Sequence, residues 1–321
     1  MPPLSSAEET TEVAVIGTGA VGSAYAFALT LSGLARRILL LDKNRDRAEG
    51  EAVDLTHGAP FARPCEVRAA DYPDISNTDL IVICAGVPQR PGETRMDLLR
   101  RNLEVFRDVT QRICEHNEHG IILVVTNPVD VLTYATLRFS NRSKKSIIGS
   151  GTVLDSARFR SLLARHCGVD ARNVHGYVVG EHGDSEVILW SKATIAGTLI
   201  IDHSPLIGRA IDDSVRRRIE DDVRQAAYRI IEKKGYTSTA VAMSLLRITE
   251  SVLRDQCSIL TISRLVEDYY GIRDVCLSLP TVVGREGCVS PVMITLTDEE
   301  ISLVRRSAGI IRQALDDVGI L

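Results

Sequence analysis

Val13-Ala14-Val15-Ile16-Gly17-Thr18-Gly19-Ala20-Val21-Gly22 decides how the rest of the chain is read. Residues 13–16 form a short, mostly β-branched apolar run of the kind that makes a buried strand. A G-x-G-x-x-G follows at once, and residues 20–32 behind it are a helix-period stretch. The glycine pattern alone also fits a turn without a ligand; between a strand and a helix it reads as a dinucleotide cradle. Gly17 permits the tight turn, Gly19 lets the backbone approach a pyrophosphate, and Gly22 lets helix and strand pack closely. Ala20 and Val21 open the helix, whose free N–H groups and partial positive charge suit the phosphates. Asp42 ends the next apolar run, 20 residues beyond Gly22. A carboxylate there accepts hydrogen bonds from ribose hydroxyls and repels a 2′-phosphate, which selects NAD over NADP; Lys43 slightly blunts that preference.

Further apolar runs at residues 37–41, 80–84, 121–125 and 147–148 alternate with helical patterns such as 96–116. This alternation predicts an α/β fold, a Rossmann doubly wound parallel sheet covered on both faces. After Gly149-Ser150-Gly151 the pattern changes. Helices are expected over 154–167, 212–234, 238–253 and 298–318, with antiparallel strands at 185–190 and in a hairpin of 276–283 with 288–295. The expected organisation is therefore an NAD-binding domain over 11–149 and a mixed α+β substrate domain over 150–321, with the site between them.

The net charge is −4 and the sequence pI about 6.0, which favours neither nucleic acid nor an anionic membrane as partner. No apolar run approaches the ~18–20 residues that span a bilayer. The N-terminus lacks the pattern of a signal peptide, so a cytoplasmic location is expected. The seven cysteines are scattered without a Cys-x-x-Cys and read as free thiols. Cys114, His116 and His119 lack a fourth ligand, so no metal site is expected. Arg216-Arg217-Arg218 is followed by Glu220-Asp221-Asp222, which predicts local salt bridges on one helix.

Four further segments occur in order: Ala85-Gly86-Val87-Pro88-Gln89-Arg90-Pro91-Gly92-Glu93-Thr94-Arg95, Thr126-Asn127-Pro128-Val129-Asp130, Gly151-Thr152-Val153-Leu154-Asp155-Ser156-Ala157-Arg158 and Gly180-Glu181-His182-Gly183-Asp184-Ser185. They resemble the lactate/malate dehydrogenase family, its bacterial lactate-specific members in particular, over nearly the whole chain. On that resemblance His182 is the general acid–base, and Asp155 holds its imidazole and stabilises the charged form. Asp155 and Arg158 are spaced to share a helix face, and the resemblance implies that Arg158 grips the substrate carboxylate with both arms. It makes Arg95 a lid residue that stabilises charge at the substrate carbonyl. Asn127 would contact nicotinamide and substrate oxygen, and Thr237 would line the substrate pocket.

The resemblance also implies the substrate, pyruvate or L-lactate. Members acting on malate carry Arg where this chain has Gln89, to pair with a second carboxylate. Leaving that carboxylate unpaired in a closed pocket costs roughly 3–5 kcal/mol, about two to three decades in specificity. Arg90 beside it keeps a malate or broader 2-hydroxy-acid dehydrogenase open as the alternative, and a non-catalytic NAD-binding protein is the reading from another class. Arg160 lies about 200° around a helix from Arg158. With His175 it matches a pair that, in relatives activated by fructose 1,6-bisphosphate, holds a phosphate at a subunit interface. A homotetramer with that effector is the matching expectation.

Overall fold

The strand–glycine–helix unit begins a parallel sheet. The computed structural model describes residues 11–88, 90, 92–200 and 209–321; Gln89 lies outside them. The first half runs β1 (Glu12–Ile16), α1 (Ala20–Ser32), β2 (Arg37–Leu41), α2 (Arg45–Gly58), β3 (Glu66–Ala69), β4 (Leu80–Ile83), α3 (Arg95–His116), β5 (Ile121–Val124), α4 (Val129–Phe139) and β6 (Ile147–Gly149). These strands pair in parallel in the order β3-β2-β1-β4-β5-β6. That is the doubly wound arrangement, and the order reverses between β1 and β4, which opens a crevice at their carboxyl ends.

Both faces are buried, so the strands read as continuous apolar runs. Ala14, Ile16, Leu39, Leu41, Ile81 and Ile83 face one core, while Val13, Val15, Ile38, Leu40, Leu80 and Val82 face the other. At the crevice the chain comes very close to itself. Gly17 has φ +97°, and a Cβ there would lie 2.6 Å from the amide nitrogen of Ala85. A Cβ on Gly22 would lie 1.9 Å from the carbonyl oxygen of Gly17.

The second half contains α5 (Val153–Cys167), β7 (Val174–His175), β8 (Val178–Val179), β9 (Val187–Ile188), β10 (Thr194–Ile195) and β11 (Thr198–Leu199). Then come α6 (Asp213–Arg224), α7 (Ala226–Lys234), α8 (Thr239–Leu253), β12 (Ser258–Val266), β13 (Val275–Gly284), β14 (Gly287–Pro291) and α9 (Asp298–Asp317). The expected hairpin is present as β13 and β14. It joins β12, and all three extend the first sheet past β6 through an antiparallel pairing of Ser263 with Gly149. Among the described residues the sheet thus has nine strands and runs through both halves. β12 escapes a hydropathy reading because Thr261, Ser263 and Arg264 are buried polar residues within it.

Two other expectations change. The helix expected over 212–234 is divided at Gln225, where no glycine or proline marks the break. The strand expected over 185–190 is only the two-residue β9, paired with β8. A separate core around Phe159, Leu163, Val178 and Ile219 holds this region, with Trp190 edge-on to Phe159 at 5.0 Å between ring centroids.

The glycines give a paired stability test. In Gly22→Ala the backbone must move, and a loss of about 1–3 kcal/mol or more is expected. Gly50, inside α2, has nothing within 4 Å of an added Cβ. Gly50→Ala is expected to stabilise the chain by about 0.4–1 kcal/mol. Denaturant unfolding of both variants checks the opposite signs.

Candidate active site

β8 leads into Gly180, which sits at φ +95° with Ser307 so close that a Cβ would lie 2.7 Å from its Oγ. Gly180 and Ser278 exchange backbone hydrogen bonds of 2.9 and 3.0 Å. The chain then turns off the sheet and presents His182. The His182 amide donates to Asp130 Oδ2 at 2.7 Å, and its ring Nδ1 donates to Asp155 Oδ2 at 2.6 Å. Nε2 is therefore the nitrogen left for chemistry. Asp155 lies in the first turn of α5, 2% exposed, and its Oδ1 accepts from Arg158 Nη1 at 2.8 Å.

Electrostatics follow from this chain of three. Burial works against a charged His182, but Asp155, aided by Asp130 and Glu186, outweighs it and raises the imidazole pKa to about 9. Burial likewise opposes an ionised Asp155, yet His182 and Arg158 hold its pKa below the ordinary carboxylate value. The dyad is thus an ion pair at neutral pH, with the proton on the imidazole.

Asp130 holds His182 from a second side, a contact that the motif contained without declaring. It is fully buried in α4, and burial pushes its pKa up to about 6 against the hydrogen bonds it accepts. Ser263 Oγ donates to its Oδ1 at 2.6 Å and Ser278 Oγ at 3.3 Å, while its other oxygen holds the His182 amide. Its one sequence signal was an acid between Val129 and Val131 in an apolar helix.

His182, Arg95 and Asn127 line one cavity of about 1460 Å³. Asp155 and Arg158 are not on its wall; they join it through His182. Arg95 is exposed at the start of α3 and stands beside the Tyr228 hydroxyl, which donates to Asp184 at 3.0 Å. Neither Tyr228 nor Asp184 was singled out from sequence. Thr237, half-buried between α7 and α8, is not among the residues on the wall. Arg90 has an exposed side chain, and its amide donates to Glu93 at 2.8 Å.

The crevice at the start of α1 fits a dinucleotide. Gly19 faces open space, with nothing within 4 Å of an added Cβ, and no side chain caps the helix there. Asp42 has a second task beyond the expected one. Its Oδ2 accepts from the Thr18 amide at 2.8 Å and hydroxyl at 3.0 Å, and its Oδ1 accepts from the Asn44 amide at 2.9 Å. Burial opposes these bonds, which nonetheless hold its pKa below the usual value. A carboxylate offers about four acceptor positions, so room remains for a hydroxyl. Lys43 is exposed.

Arg160 and His175 lie apart from the cavity wall. Arg160 Nε donates to the Ser156 carbonyl at 3.1 Å. Burial and the nearby Arg247 disfavour its charge, Tyr177 opposes them, and no carboxylate pairs with it among the described ion pairs. His175 is exposed on β7. A local salt bridge does form inside α6, but with another arginine than Arg216, Arg217 or Arg218: Asp221 pairs with Arg224 at 3.6 Å, and Asp222 pairs with Arg229 of α7 at 2.5 Å. Arg216 lies over the Trp190 ring at 5.7 Å, and Glu220 accepts from the Trp190 indole at 2.6 Å.

Residues 11–149 match the family model described as lactate/malate dehydrogenase, NAD binding domain, and residues 152–319 match its alpha/beta C-terminal domain. An L-lactate dehydrogenase of Thermoanaerobacter sp. (strain X514) is 48% identical over 96% of this chain and 99% of its own length. L-lactate dehydrogenase 1 of Clostridium acetobutylicum is 45% identical over 97% and 99%. Among solved structures, a lactate dehydrogenase from a Medee basin deep-sea metagenome library superposes with a TM-score of 0.93 at 40% identity, covering 97% of this chain and 99% of the other. The minor L-lactate dehydrogenase of Enterococcus mundtii, in its ligands-bound form, gives 0.93 at 34% identity, covering 96% and 98%.

The His182–Asp155 pair predicts a titration. The folded-state pKa is raised, so the pair's stabilisation is complete below the unfolded value of about 6.5 and is lost as pH rises through about 9. In Asp155→Asn burial is left to dominate, and the His182 midpoint should fall below about 6.5. NMR of the labelled imidazole measures both; a midpoint unchanged in the variant would contradict the assignment of cause.

Proposed function

The chain belongs to the lactate/malate dehydrogenase family, and from that premise we propose that it interconverts pyruvate and L-lactate, with His182 as the acid–base group. The observation that carries this reading is the Arg158–Asp155–His182 chain, which ends on the wall of the cavity. The bound cofactor would supply a hydride to carbon 2 of pyruvate as NADH and would accept one from lactate as NAD. Gly17, Gly19, Ala20, Val21 and Gly22 would cradle its phosphates, and Asp42 its ribose.

The side chains do the rest. Arg158 uses one arm on Asp155, and the remainder of its guanidinium grips the substrate carboxylate. The protonated His182 gives its Nε2 proton to the keto oxygen during reduction and takes it back from the hydroxyl during oxidation. Asp155 keeps the tautomer fixed and offsets the imidazolium charge. Asn127 and Arg95, on the same wall, orient the oxygen and stabilise charge developing on it. Thr237 stands off that wall, so its place beside the substrate methyl group rests on the family resemblance alone. Gln89 is the neutral residue that disfavours a second substrate carboxylate, and the names carried by the bacterial relatives support the same choice.

Two further parts belong to this reading. Arg160 and His175 form a phosphate site for fructose 1,6-bisphosphate, supported by a guanidinium that no carboxylate neutralises among the described ion pairs. The working form is a homotetramer. Its support is the packed pair α1 and α8, which leaves Phe27, Leu31 and Met243 exposed by 56%, 53% and 66%.

Steady-state assays with NADH test the substrate. A kcat/KM for pyruvate about a hundredfold or more above that for oxaloacetate is expected, the scale set by one unpaired buried charge. A preference for oxaloacetate would move the selector from Gln89 to Arg90 and overturn the substrate assignment. Fructose 1,6-bisphosphate is expected to lower the pyruvate KM of the parent protein and to leave the Arg160→Ala/His175→Ala double variant unmoved. An equal response in both would remove the effector site.

A further inference from the structure

Glu186 has no part in the chemistry above, yet it lines the same cavity four residues after His182. It is 7% exposed, and its Oε1 is buried with no hydrogen-bond partner among the described residues. The described ion pairs give it no cation at contact distance. Asp155 and Arg158 face it from α5, His182 from its own segment and Arg224 from α6. Glu220 of α6 and Arg306 of α9 line the cavity as well. Arg224 is drawn toward Asp221 and Glu220 is occupied by Trp190. Of the charges that act on Glu186, Arg224 has Asp221 as its own partner, which leaves Asp155, His182 and Arg158.

The charges of that group decide which ligand fits. With His182 protonated, Asp155, His182 and Arg158 sum to one positive charge, which a single substrate carboxylate neutralises. An ionised Glu186 would cancel that charge in advance, and the bound anion would then leave a buried negative excess. Burial, and after it Asp155, push the Glu186 carboxyl up to about 8 against His182, Arg224 and Arg158, so it is protonated at neutral pH.

We propose that Glu186 is a specificity-determining carboxyl that must carry its proton for a monocarboxylate substrate to bind, its ionisation closing the pocket to 2-oxo and 2-hydroxy acid anions. The proposal rests on the pyruvate/lactate reading and extends it: the substrate anion needs the Glu186 proton in both directions, and in pyruvate reduction the His182 proton as well.

The test compares the parent protein with Glu186→Gln, each profile normalised to its own maximum, from about pH 6 to pH 10. In lactate oxidation His182 must be neutral and Glu186 protonated, so the parent kcat/KM is expected to rise and then fall. The variant is expected to rise to a plateau, about tenfold or more above the parent at the alkaline end. In pyruvate reduction the parent should lose kcat/KM with a limiting slope of two, the variant with a slope of one. Superimposable profiles would overturn the proposal. A second measurement needs no variant. Calorimetry of oxamate, the unreactive amide analogue of pyruvate, binding to the NADH complex in buffers of different ionisation heat reports proton uptake. Uptake rising above one toward two per site at the alkaline end is expected; uptake that never exceeds one overturns the role of Glu186. Absence of pyruvate reduction in the parent protein would instead overturn the reading on which the proposal stands.

Discussion

Asp155 is shared between two cations that need it for different reasons. One oxygen holds the His182 ring and the other holds Arg158, both within ordinary charge-assisted distances. A carboxylate 2% exposed is costly to ionise alone, and here two positive neighbours make the ionised form the stable one. Because α5 carries both Asp155 and Arg158 one turn apart, helix geometry fixes the place of the His182 ring relative to the Arg158 guanidinium. Neither partner can shift without unbalancing the other. Most of the surrounding architecture serves to bring His182 to that helix.

Asp130 performs the complementary task on the backbone. It reaches from α4 in the first half of the chain and accepts the His182 amide, while Ser263 and Ser278 hold its other oxygen from β12 and β13. Glycine at position 180 makes the approach possible by clearing the space that Ser307 occupies. The imidazole is thus fixed through its ring by one element and through its main chain by another. Asp42 works in the same manner at the opposite crevice, anchoring Thr18 of the glycine loop while keeping acceptor capacity for a ligand.

Much of this was readable from residues, for reasons that differ by element. The parallel strands showed because burial on both faces leaves no polar positions to interrupt residues 13–16 or 80–83. The cradle showed because three glycines and an acid must stand at fixed offsets. His182, Asp155 and Arg158 were visible only through motifs in order, since an aspartate and an arginine three residues apart look like any surface pair. What stayed hidden depended on partners distant in sequence. β12 conceals its burial behind Thr261, Ser263 and Arg264. The break at Gln225 has no breaker residue, and Arg216 finds Trp190 while Asp222 pairs across the break with Arg229. Glu186 looked like a polar strand residue because nothing local announces the three charges around it.

The continuous sheet has a mechanical meaning. β12, β13 and β14 extend the dinucleotide-binding sheet directly, and the Asp130 network stitches the same seam with side chains. Among the described residues the two halves of the chain are thus joined by main-chain pairing and by buried side-chain hydrogen bonds. The entry to α3 with Arg95 and the α6–α7 pair with Tyr228 border the cavity from outside that sheet. The sheet is the frame of the cavity, and these elements are its rim. Changes to the rim should alter the tempo of entry and exit, while the frame keeps His182 in register with Asp155 and Arg158.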